Sequence, residues 1–114
     1  MAEADFGAIA SSDLVKLAVA DASSINVALA ERYEADEIYT NIGQVLVCVN
    51  PYKALTRAGI TLYDDSIALD FRNGDRRMQL EPHIFGIAAA AYSEVIKVHE
   101  PQCIVVSGDS GAGK

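Results

Sequence analysis

The residues best placed to do chemistry are Gly108-Asp109-Ser110-Gly111-Ala112-Gly113-Lys114, which read G-x-x-x-x-G-K. That pattern is the phosphate-cradling P-loop, one position short of the Ser/Thr hydroxyl that completes it as a metal ligand. Glycines let the backbone turn tightly, so that consecutive N–H groups converge on phosphate oxygens. The lysine adds a compact positive charge at the outer phosphates. With glycine at roughly 7% of residues, a chance match in a chain of this size arises in roughly a few per cent of cases. The competing reading is a glycine-rich surface turn. Context favours the phosphate loop, because Gln102-Cys103-Ile104-Val105-Val106-Ser107 is the apolar, β-branched run that a preceding buried parallel strand requires.

Other residues invite a chemical role and have a plainer one. Asn50-Pro51, read alone, is a strand-ending turn, and Tyr63 is a helix-start or core aromatic. His83 could serve as an acid or base, but its position suggests a structural residue near a helix start, and His99 belongs at an exposed helix end. Cys48 and Cys103 each lie in an apolar run and read as reduced core cysteines, too few and too apolar in setting for a metal site. Arg72-Asn73-Gly74-Asp75, with Arg76 and Arg77, reads as a solvated turn.

The elements that must position these residues follow from periodicity. Residues 22–35 form an amphipathic helix, with Ser23 or Ser24 as N-cap and Ile25, Ala28, Leu29 and Tyr33 on its apolar side. Strands are predicted at 38–40 and 44–49, separated by a turn at 41–43, and a polar, mobile stretch runs from 53 to 59. A short helix covers 63–71. A second helix runs from Pro82, in its first turn, to about Val98. Its stripe of Ile84, Phe85, Ala88, Ala91, Tyr92, Val95 and Ile96 reads as core packing. The order suggests an α/β architecture around a mostly parallel, here incomplete, central sheet.

Composition narrows the class further. The 114 residues suffice for one small domain, and 51% hydrophobic with 22% charged residues is a globular balance. No apolar stretch is long enough for a transmembrane segment, and the acidic start lacks the features of a secretory signal. Sixteen acidic against nine basic residues, a net charge of −7, disfavour nucleic acid as a partner. A single nucleotide in a backbone nest remains compatible. The cytosol is the expected compartment.

The ordered set of motifs resembles the start of a myosin motor domain, from about Asp13 onward. Glu31-Arg32-Tyr33-Glu34-Ala35-Asp36-Glu37-Ile38-Tyr39-Thr40 is followed by Ile42-Gly43-Gln44-Val45-Leu46-Val47, then Asn50-Pro51-Tyr52-Lys53 and Tyr63. Pro82-His83-Ile84-Phe85-Gly86-Ile87-Ala88 and the run from Gln102 into the P-loop complete the series. The resemblance implies a P-loop ATPase fold, with residues 1–12 as a flexible leader and 13–114 as the N-terminal part of a motor domain truncated at the P-loop. It implies ATP and Mg²⁺ as cofactors, the metal ligand following Lys114. It also implies actin filaments as a partner through other parts of the motor, and a cytoplasmic, cytoskeleton-associated location. Asn50, Pro51, Lys53 and Tyr63 are implied to lie around the adenine of ATP.

Two departures stand out. Asp109 replaces the glutamate usual in the family, keeping the charge on a shorter arm, and the segment between Asn50 and Tyr63 is longer than in many members. The short leader leaves little room for the small β-barrel that precedes some motors. Each charge-assisted phosphate contact is worth about 1.5–3 kcal/mol. Without a following helix and metal, the chain alone is expected to bind ATP weakly or not at all and to lack ATPase activity. With an unfinished sheet it is also expected to be aggregation-prone. The alternatives are a fragment of another P-loop enzyme, such as a kinase or transporter ATPase, and a non-enzymatic remnant.

Overall fold

A computed structural model of the chain describes residues 12–16, 21–73 and 81–114. Helix α1 spans Ala22–Glu34. Its N-cap is Asp21, two residues ahead of Ser23, the nearer of the serines named from the sequence. The Asp21 carboxylate accepts the Ser24 backbone N–H at 2.8 Å, satisfying a donor that the first turn leaves free.

Strands β1 (Tyr39–Ile42) and β2 (Val45–Cys48) form an antiparallel hairpin, with Tyr39 opposite Cys48 and Ile42 opposite Val45. Asp13 bridges in parallel to Asn41, and its carboxylate accepts the Gly43 N–H at 3.2 Å, tying the Leu14–Lys16 turn to the hairpin. Leu14 is thereby buried.

The stretch expected to be irregular is a second small hairpin, β3 (Thr56–Arg57) with β4 (Ile60–Thr61). Its turn, Ala58-Gly59, has φ of 54° and 79°, the sign pattern of a type I′ turn matched to hairpin twist. Helix α2 spans Asp65–Arg72, and its N-cap Asp64 accepts from both the backbone and the hydroxyl of Ser66. Helix α3 spans Ile84–Val98, with His83 as N-cap and His99 as a left-handed C-cap. Pro82 thus precedes the cap and does not occupy the first turn.

The core gathers Leu14, Ala28, Arg32, Ile38, Tyr39, Thr40, Phe71 and His83. Four expectations fail against this arrangement. Both sheets are antiparallel, and no parallel sheet forms among the described residues. Residues 101–109 carry no strand pairing, because a strand exists only with a neighbour to complete its hydrogen bonds and none of the described strands lies beside them. The apolar stripe of α3 contributes no buried residue, so it is not core within this chain. Cys48 and Cys103 are free and exposed, not core residues. Arg72 and Asn73 are exposed, but Arg72 is the last residue of α2 and Asn73 its C-cap, while Gly74, Asp75, Arg76 and Arg77, like the leader at 1–11, lie outside the described residues.

Candidate functional site

The turn that ends β2 meets the glycine loop. Asn50 folds its side chain back so that Oδ1 accepts the Tyr52 N–H at 2.8 Å, and its Nδ2 donates to the carbonyl of Gly111 at 3.1 Å. The Tyr52 hydroxyl donates to that same carbonyl at 3.3 Å. Across the loop the Ala112 N–H closes a turn onto the Asp109 carbonyl at 3.0 Å. Gly111 and Gly113 have φ of 85° and 95°, where a side chain is strained, and a Cβ on Gly113 would stand 3.4 Å from the Asn50 Cβ. Both glycines are therefore demanded by the backbone path. The Lys114 ammonium donates to the Gly108 carbonyl at 2.7 Å, so its charge lies across the loop. Asp109 and Ser110 are exposed, and Ala112 is half-buried.

Beside this junction is a cleft of about 400 Å³ lined by Ile38, Pro51, Lys53, Leu55, Leu62 and Tyr63, among others. Three of the four residues singled out from the sequence thus share one concavity, and Asn50 stands outside it, against the loop. A volume of this order is at the small end for a ligand pocket. Lys53 pairs with Asp36 at 3.0 Å, with both side chains exposed, so the pair is weak and the ammonium is readily redirected.

Tyr63 is held from behind. Its hydroxyl shares a 2.9 Å hydrogen bond with that of Tyr39, and its ring stands edge-on to His83 and Phe85 at centroid distances of 5.8 and 6.1 Å. Burial, reinforced by the Tyr63 hydrogen bond, pushes the Tyr39 phenol well above its ordinary pKa, so it stays neutral. His83 caps α3 by accepting the Phe85 N–H on Nδ1 at 2.9 Å, which leaves Nε2–H to donate to the Leu62 carbonyl at 3.0 Å. Burial lowers its pKa, against the opposing effect of the Leu62 bond. A neutral imidazole with both nitrogens engaged is a structural post, as its position suggested.

Arg32, only 5% exposed, was not singled out from the sequence as a buried anchor. Its Nε donates to the Thr40 hydroxyl at 2.8 Å and its guanidinium also donates to the Tyr39 carbonyl at 3.0 Å. Glu37 lies 3.9 Å from Arg32 and 2.8 Å from Arg57, linking α1 to the β3–β4 hairpin. The signal was available. Arg32 falls four residues after the buried Ala28, placing a cation on the helix's inward face. Tyr33 reaches the same turn from α1, its hydroxyl donating to the Pro51 carbonyl at 3.4 Å.

A hairpin and helix thus brace an Asn-Pro turn against a glycine loop, and comparison with known proteins gives the family of the chain. The sequence model of the family described as myosin head (motor domain) matches residues 11–114, and the chain belongs to that family. Among curated relatives, it is 43% identical over 103 residues to the protein named Myosin-1 of Pyricularia oryzae and equally to that of Neurospora crassa. It is 42% identical to Myosin-1 of Aspergillus fumigatus over the same length. Each match covers 90% of this chain and 8% of the relative.

Proposed function

We propose that the chain is the ATP-binding segment of an actin-based myosin motor, with Gly108, Asp109, Ser110, Gly111, Ala112, Gly113 and Lys114 as the phosphate loop. Pro51, Lys53 and Tyr63 border the base end of the nucleotide, with Asn50 at the junction. The observation that carries this reading is the 3.1 Å bond from Asn50 Nδ2 to the Gly111 carbonyl, which joins the two halves of the proposed site across sixty residues of chain. Family membership supports it independently.

The residues fit a nucleotide. Gly111 and Gly113 open the backbone where phosphate oxygens approach, Lys114 supplies the cation, and the adjacent cleft offers a flat proline, an aromatic face and apolar walls. Their work is binding and orientation, the main contributions of protein groups to phosphoryl transfer. Mg²⁺ takes oxygen ligands and many of them are water or phosphate. Among the described residues no three His, Cys, Asp or Glu side chains converge on a metal position.

In the whole protein this segment would serve ATP hydrolysis coupled to movement on actin filaments, in the cytoplasm and on the cytoskeleton. The chain alone is proposed to bind weakly and not to hydrolyse. Among the described residues no helix is long and apolar enough to cross a membrane. Titration of the 114-residue chain with MgATP, followed by NMR, tests the reading. Shifts confined to 108–114 and 50–63, and lost in Lys114→Ala, are expected. Shifts elsewhere, or shifts indifferent to Lys114→Ala, overturn it.

A further inference from the structure

The glycine loop is gripped from outside by the turn that follows β2. We propose that Asn50 and Tyr52 are positioning residues that clamp the Gly111–Ala112 peptide plane, so that Asn50 serves the phosphate end of the nucleotide and does not read its base. This rests on 108–114 being the phosphate loop.

A carbonyl oxygen has two lone pairs, and Gly111 receives two donors, Asn50 Nδ2 at 3.1 Å and the Tyr52 hydroxyl at 3.3 Å. The N–H of the same peptide plane, that of Ala112, is bonded to the Asp109 carbonyl. The plane is thus held at both ends. Its orientation matters because a backbone nest binds an anion only when successive N–H groups point inward together. Rotating one plane turns its neighbours' donors away.

The clamp is itself built from a strained turn. Tyr52 has φ of 54°, a left-handed conformation unfavourable for a residue with a Cβ. The Asn50 Oδ1 bond to the Tyr52 N–H supports that conformation and aims the exposed ring, 80% accessible in its own right, across to the loop. Turning the Asn50 amide toward a base edge breaks its bonds to Tyr52 and Gly111 together. Asn50 is also absent from the lining of the cleft that holds Pro51, Lys53 and Tyr63.

The test uses Tyr52→Phe, Asn50→Ala and the double variant in the 114-residue chain. Tyr52→Phe removes one oxygen from an exposed ring and leaves folding intact. The first readout is solvent exchange of the Ala112 amide by NMR. Each single variant is expected to speed it about two- to fivefold, the worth of one modest hydrogen bond, and the double variant more. The second readout is binding of pyrophosphate and of adenosine, measured separately. Pyrophosphate affinity is expected to fall by a similar factor while adenosine affinity holds. Unchanged Ala112 exchange in both single variants overturns the clamp, as does loss of adenosine binding with pyrophosphate retained. If the unaltered chain binds neither probe, the Ala112 exchange rates alone decide whether the clamp exists.

Discussion

The part of the chain up to His83 and the part after it invert the usual relation between apolar sequence and burial. Every buried residue of the described chain lies at or before His83, and three of them are the polar Arg32, Thr40 and His83. After it, a helix and a run rich in valine and isoleucine leave Tyr92 68% and Val105 83% exposed. The difference lies in partners. Thr40 and Arg32 are buried because each satisfies the other, while Ile104, Val105 and Val106 stay exposed with no strand paired to them among the described residues. Apolar character makes burial favourable, but a complementary surface has to exist for it to happen.

Breaking the closed half should have the largest effect. Arg32→Ala removes the donors to Thr40 and to the Tyr39 carbonyl inside the core, at a cost of about 3–5 kcal/mol, to be read from urea unfolding. Phe71→Ala, which removes a buried ring packed against both His83 and Phe85, should cost about 3 kcal/mol in the same experiment.

Acid should act next, through His83. Its pKa is lowered in the folded chain, so the unfolded chain binds the proton more readily. The stability this group contributes is complete above the ordinary imidazole value of about 6.5 and is lost as pH falls from there through the folded-state pKa. Unfolding midpoints measured between neutral and mildly acidic pH should show the decline, and His83→Asn, which retains a cap acceptor, should flatten it. The smallest effect belongs to the open half. Ile96→Gln with Val105→Ser should change monomer stability by no more than about 0.5 kcal/mol and lower light scattering at high concentration. A loss as large as that for Phe71→Ala would show that the two halves do not differ.

Much of the secondary structure in both halves was legible in the sequence. The first helix, the hairpin and the helix after Pro82 lie within a residue or two of where periodicity put them, because these are local patterns satisfied by local bonds. The caps were harder. Asp21 displaces Ser23 and Ser24, and His83 takes a role more often filled by Ser, Thr, Asp or Asn, since cap choice depends on where the chain enters the helix. The β3–β4 hairpin was hidden because Ala58 carries a positive φ that nothing in the residue type announces.

The candidate site divides the same way. The glycine loop, Asn50-Pro51, Lys53 and Tyr63 could be picked out by residue type and order, while Tyr52 could not, since its contribution depends on a left-handed turn and a contact fifty-nine positions away. The sequence by itself determined the glycines of 108–114, the order of motifs and hence the family, because those depend on residue identity and spacing along the chain. Only the tertiary structure decided that Asn50 and Tyr52 converge on one carbonyl, that Arg32 is buried and that Val105 is not. Those outcomes depend on which surfaces and hydrogen-bonding groups meet in space, and a linear pattern does not specify the partner.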